Sequence, residues 1–180
     1  MTDFALSYGL SLYSLCKEEN MTDKAKEDLC LVSKVLNENP EYIKLLDSPM
    51  INKNERCGLI DVAFSQYVSE YVLSFLKILA EKRAMHSFAA CEKAFVKQYN
   101  DDNNIETAVA VTAVPLSDEL KQRLTDKLSA LTSKKVILEN NVDSSVLGGL
   151  IVRFSNSQID ASVKHRLTAI KDQLSGGVIK

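Results

Sequence analysis

"NDDNNIETAVAVTAVP", residues 100–115, holds the change of pattern that decides the fold. Its first five residues are all Asn or Asp, turn-formers whose short side chains compete with helical backbone hydrogen bonds. The next ten alternate and are rich in β-branched residues, as a strand requires. Pro115, which cannot donate to a sheet ladder, closes the run. Upstream the apolar period is helical; downstream it is mixed. The spacing predicts an α+β chain, mostly α, with an N-terminal six-helix bundle over residues 1–104 and a small C-terminal β/α domain over 105–180.

Upstream, Leu29, Val32 and Leu36 fall at i, i+3 and i+7. Cys57, Ile60 and Phe64, then Val68, Val72, Phe75 and Leu79, then Phe88, Cys91, Phe95 and Tyr99 repeat helical spacing. Asn39 before Pro40 reads as an N-cap with proline at the first helical position. Asn52 with Glu55 resembles a capping box, and Ser87 is the expected cap of the last helix in this half. Downstream, Ser117 is placed to cap a helix with Asp118 and Glu119 in its first turn, where the dipole favours acids. That helix is expected to bury Leu120, Leu124, Leu128 and Leu131. Short strands are expected at 136–138 and 150–154, with a return strand at Ile159. A final helix capped by Ser162 carries Val163, Leu167, Ile170 and Leu174.

Charge divides mildly along the same line: residues 1–104 carry 12 Lys+Arg against 16 Asp+Glu, and the remainder 10 against 8. A net charge of −2 offers no basic field for nucleic acid. No apolar stretch approaches the ~20 residues of a membrane-spanning helix. "MTDFALSYGL" has no basic region before an apolar core and no transit-peptide arginines, so no leader is expected. Cys16, Cys30, Cys57 and Cys91 form no C-x-x-C pair, and His86 and His165 are the only histidines. Buried or half-buried reduced thiols, and no metal, are the expectation.

The glycine pair in "VLGGLIVRF", residues 146–154, invites a phosphate-loop reading. A phosphate loop needs Lys-Ser/Thr after its last glycine and a helix beyond, and here a strand follows. Two glycines at a strand entrance mark a bulge or close backbone approach instead. No nucleophile elbow occurs. Asp143 and Asp160 flank the strand, but a turn and a helix start account for them, while Arg153 alternates away from Val152 and Phe154. An enzyme would need a convergent polar pocket there; no catalytic or cofactor-binding residue is expected.

One positive signal remains. No charge lies between Asp3 and Lys17, where Ser7, Ser11 and Ser14 form a small-residue stripe with Gly9 to one side, and residues 71–80 carry only Lys77. A surface helix normally shows charges to water. Two charge-poor helices are either central members of a bundle or the walls of an apolar groove for a partner helix.

The C-terminal residues are more specific. Asp143, Ser145, Val146, Leu147, Gly148, Gly149, Arg153, Ile159, Asp160, Ser162, Val163, Arg166 and Leu167 follow a pattern of D-x-S-apolar-apolar-G-G, an apolar strand ending in R, and apolar-D-G-S-apolar-x-x-R-L. This resembles the signature of the delta subunit of F-type ATP synthases, whose mitochondrial counterpart is the oligomycin sensitivity conferral protein. "YGLSLYSLC", residues 8–16, and "FLKILAEKRAM", residues 75–85, are similar to two of the family's helices. Ala161 departs from the family's usual glycine, and Lys82-Arg83 from its usual Asn-Gly, which would let that helix end later.

The resemblance implies a non-catalytic stator subunit that links the catalytic head to the peripheral stalk and resists rotation. It would sit peripherally at the cytoplasmic face of a bacterial membrane, without cofactor. The helical domain would bind the N-terminal helices of the alpha subunits, through Tyr8, Ser11, Leu12, Phe75, Ile78 and Leu79. The C-terminal domain would contact the stalk through Val163, Arg166, Leu167 and Ile170. A helix-binding adaptor unrelated to ATP synthase is the alternative.

Overall fold

The computed structural model describes residues 3–144, 146, 148–154 and 157–176, with the side chains of Asp3, Ala169, Ile170 and residues 172–176 outside that description. Ser145 and Leu147 of the signature therefore lie outside the described residues. The chain divides into two compact units, Met1–Asn100 and Asp101–Lys180.

The first unit is helical: α1 (Asp3–Glu18), α2 (Thr22–Glu38), α3 (Pro40–Asp47), α4 (Lys53–Phe64), α5 (Glu70–Glu81), a 3-10 turn at Met85–Ser87, and α6 (Phe88–Asp102). Its core gathers the apolar positions that recur at helical spacing, among them Leu29, Val32, Ile60, Phe64, Val72, Leu76, Leu79 and Phe95. Each such side chain, fully buried, contributes about 1.5–3 kcal/mol of transfer free energy. Gly9 sets the distance between α1 and α6, because a Cβ built on it would lie 2.4 Å from the Cys91 carbonyl oxygen and 2.8 Å from the Ala94 Cβ.

Helix ends follow their chemistry, with some exchanges of partner. Asn52 caps α4 by accepting from the Glu55 N–H at 2.9 Å. Asn39, expected to cap α3, turns its Nδ2 back to donate to the Val35 carbonyl at 2.9 Å, closing α2 instead. Buried Asp28 on α2 accepts from the Ser69 N–H at 2.7 Å, anchoring the start of α5 from a distance in sequence. Asp47 accepts from the Met85 and His86 N–H groups at 2.8 and 3.1 Å and meets His86 Nδ1 at 2.7 Å, holding the 3-10 turn.

Helix α5 ends at Glu81 and no later. The Ala84 N–H donates to the Leu79 carbonyl and the Arg83 N–H to the Ala80 carbonyl, at 2.9 and 3.2 Å. That is a Schellman closure, and Arg83 occupies its left-handed position at φ 54°. An arginine stands where the backbone favours glycine. Helix α6 runs to Asp102, so three of the five turn-formers at 100–104 are helical. The final turn has few carbonyls engaged within the helix, which makes Asn and Asp tolerable there.

The second unit is a four-stranded sheet with α7 (Asp118–Thr132) and α8 (Val163–Gly176). Its strands β1 (Ile105–Thr112), β2 (Lys135–Val142), β3 (Leu150–Arg153) and β4 (Gln158–Asp160) lie in the order β2-β1-β3-β4. β1 and β2 are parallel, joined through α7; β3 and β4 add antiparallel. Ala108, Val136 and Val152 share one face and pack with Leu128 of α7. Only Leu128 of the four expected α7 leucines is buried; Leu120 and Leu131 are 52% and 73% exposed. The helix seats on the sheet through Leu128 and the half-buried Leu124.

The glycine pair serves the backbone. Gly149 has φ +80°, and a Cβ on it would lie 2.4 Å from the Ala161 carbonyl oxygen. The Val163 N–H donates to the Gly148 carbonyl and the Ala161 N–H to the Leu150 carbonyl, each at 3.0 Å. The start of α8 is thus pinned to the entrance of β3. Ala161 is not among the non-glycine residues with left-handed backbone, so its Cβ is accommodated. Ser162 caps α8 through the His165 N–H at 3.2 Å, as expected. The Asp160 carboxylate accepts from the Ser162 N–H at 2.8 Å. Hydrogen bonds from the Ser162 side chain and backbone hold the Asp160 carboxyl below its ordinary range. The Asp160 carboxylate is thus engaged at the start of α8, and at Asp143 the main chain makes a turn: its N–H donates to the Thr112 carbonyl and its carbonyl accepts from the Val146 N–H.

Candidate partner-binding groove

Helices α1 and α5 wall an apolar groove of about 400 Å³, lined by Ser7, Tyr8, Ser11, Leu12, Leu15, Tyr71, Ser74, Phe75 and Ile78. The charge-free stretch of α1 and the charge-poor stretch of α5 meet here. One face of each helix enters the core and another lines this open groove. Leu12 and Phe75, each 5% exposed, form the floor, while Leu15 and Ile78, 43% and 42% exposed, stand at the rim. The Ser11 hydroxyl donates to the Ser7 carbonyl at 2.8 Å, so its polarity is satisfied within α1. What the wall presents outward is accordingly apolar.

Five of the six residues expected on this surface, Tyr8, Ser11, Leu12, Phe75 and Ile78, line the groove. Leu79 does not. It is 0% exposed and belongs to the core. One residue after Ile78 on a helix is a rotation of about 100°, enough to turn a side chain from rim to interior. Leu15, Tyr71 and Ser74 were missed, although Leu15 follows Ser11 at i+4 and Tyr71 precedes Phe75 by the same step.

The groove has a polar end. Tyr71 lies close to Glu19, just past α1, so the start of α5 meets the end of α1. The Glu19 carboxylate beside it, then partial desolvation, then Glu70 push the Tyr71 phenol above its ordinary range.

In the second unit, Val163, Arg166 and Leu167 are exposed on α8, at helical spacing along one side. Val163 and Leu167 are 43% and 59% exposed. The side chain of Ile170, the fourth residue of that set, lies outside the described residues. Lys164, His165 and Thr168 instead border a separate cavity beside Ile151 and Asp160. Arg153 is exposed, pointing away from the core residue Val152.

Cys16 and Cys91 are buried, and burial pushes the Cys91 thiol up to about 11. Cys57 is half-buried, but Cys30 is exposed on α2, contrary to expectation. Among the described residues no group of three His, Cys, Asp or Glu side chains is placed to hold a metal, and no helix is long and apolar enough to cross a membrane.

Comparison with known proteins matches residues 5–174 to the family described as ATP synthase delta (OSCP) subunit. The chain belongs to that family. It is 37% identical over 169 residues to the ATP synthase subunit delta of Clostridioides difficile, covering 93% of each chain. It is 32% identical over 173 residues to that of Lactobacillus gasseri, covering 96% of this chain and 94% of the relative. Its fold is shared by a chain in the Toxoplasma gondii mitochondrial ATP synthase hexamer, with a TM-score of 0.75 at 20% identity, over 94% of this chain and 96% of that one. As a delta-type subunit the protein is a non-catalytic stator component of an F-type ATP synthase, associated with the membrane through that complex. An adaptor unrelated to ATP synthase is thereby set aside.

Proposed function

We propose that this subunit joins the catalytic head to the peripheral stalk by two separate surfaces. The groove between α1 and α5 takes an N-terminal helix of an alpha subunit. The exposed side of α8 at Val163, Arg166 and Leu167, with Ile170 one turn on, contacts the stalk. The complex then holds the chain peripherally at the cytoplasmic face of a bacterial membrane. A bundle of six helices provides the rigid frame on which α1 and α5 keep their spacing.

The observation that carries this reading is the apolar groove with half-exposed Leu15 and Ile78 at its rim. An apolar surface of this kind suits the apolar stripe of an amphipathic helix. Covering each rim side chain contributes about 1–2 kcal/mol. The work required is mechanical: a joint that bears torque must release slowly, and slow release comes from a few well-buried anchors. Ile78→Glu places a charge at the rim without entering the core. It is expected to weaken binding of a peptide from the alpha N-terminus at least about tenfold while leaving helicity intact. Calorimetry with circular dichroism reads both, and unchanged affinity would remove the groove from the joint.

A further inference from the structure

We infer that the helix seated between α1 and α5 carries a lysine or arginine about one turn beyond one end of its apolar stripe, placed against Glu19 and Glu70. This rests on the helix-binding reading above and adds which end of the groove is read, and by what charge.

Leu15, Tyr71 and Ser74 line the groove where the end of α1 meets the start of α5, and Glu19 follows Leu15, and Glu70 precedes Ser74, by one helical step of four residues, both beside Tyr71. Both glutamates are exposed. The cations within these two helices point elsewhere. Lys17 Nζ lies 5.9 Å from the ring centroid of Tyr13, which is itself packed edge-on against Phe95 of α6. Lys77 is held by Asp61 of α4 at 2.6 Å. The C-terminal pole of α1 and the N-terminal pole of α5 meet at this corner with opposite sign, so the carboxylates themselves carry its negative charge. An apolar cleft thus terminates in two carboxylates. A cation arriving there gains two attractive partners, and an acidic residue at the same helix position would be repelled, so the corner selects register as well as charge.

Geometry sets the spacing. From Tyr8 to Leu15 the wall spans roughly 10 Å at 1.5 Å per residue, about two helical turns. A bound helix offers apolar anchors at i, i+3 or i+4, and i+7 over that length. Its basic residue then stands three or four positions past whichever end anchor lies nearest Tyr71.

The probe is a synthetic peptide of about 25 N-terminal residues from the alpha subunit encoded with this chain, titrated into the full-length protein at about 50 mM and 500 mM salt. The Glu19→Gln/Glu70→Gln double variant keeps side-chain size and the acceptor oxygen for Tyr71. It is expected to bind roughly fivefold more weakly at low salt and to lose most of its salt dependence. Ile78→Glu, measured alongside, tests the groove itself. If Ile78→Glu abolishes binding while the double variant binds as tightly as the unsubstituted chain, the charge reading is overturned and the groove stands. Weakening of the double variant by the same factor at both salt concentrations overturns it equally. If neither variant changes affinity, the groove reading falls and this one with it.

Discussion

Arg83 shows how much a single residue's backbone state can say. It sits at φ 54° in the Schellman closure of α5, a conformation costing a residue with a Cβ about 1 kcal/mol or more relative to glycine. Arg83→Gly is therefore expected to stabilise the helical unit by about 1 kcal/mol, read as a raised urea midpoint with unchanged slope. A lowered midpoint would mean that the arginine side chain makes compensating contacts. The sequence suggested that losing the family's glycine would lengthen α5. The helix stops at Glu81 regardless, because the buried residues Ala84 and Met85 need the chain to turn there. Leu79 and Ile78 make the complementary point. Adjacent, both aliphatic and both charge-free, they part company only because the helix rotates one into the core and leaves the other at a rim.

Among the elements, the junction of β3 with α8 depends on Gly149. Its left-handed backbone and the 2.4 Å approach that a Cβ would make to the Ala161 carbonyl act together. Gly149→Ala is expected to destabilise the second unit by about 2 kcal/mol or more, since strain and a backbone clash add. The measurement is denaturant unfolding followed by a probe in the sheet; a loss below about 0.5 kcal/mol would show that the turn relaxes freely. This close approach was legible from the residues, because two glycines followed by a strand leave little chemistry for a phosphate. The extent of α7 burial was not legible. Four leucines at helical spacing predict a buried stripe, but only Leu124 and Leu128 pack with the sheet residues. Periodicity reports which face is apolar and not how much surface stands opposite.

The molecule as a whole is two units with separate apolar clusters, one drawn from α1 to α6 and one from the sheet and α7. Because the first cluster and its supporting residues run from Phe4 to Tyr99, a fragment of residues 1–104 contains all of it. That fragment is expected to fold as a helical domain and to bind the alpha peptide within about twofold of the full chain. A disordered fragment by circular dichroism would show that the helical unit needs the second for its stability. The sequence alone determined the order of helices and strands, the change of period at residue 105, the absence of a phosphate loop and the family signature, because all of these are local patterns along one chain. Tertiary structure decided which side of each apolar helix remains open, that Tyr71 and Leu15 join the groove while Leu79 leaves it, and that Glu19 comes beside Tyr71. Those outcomes depend on how helices distant in sequence are rotated and spaced, and packing against the rest of the core sets that rotation.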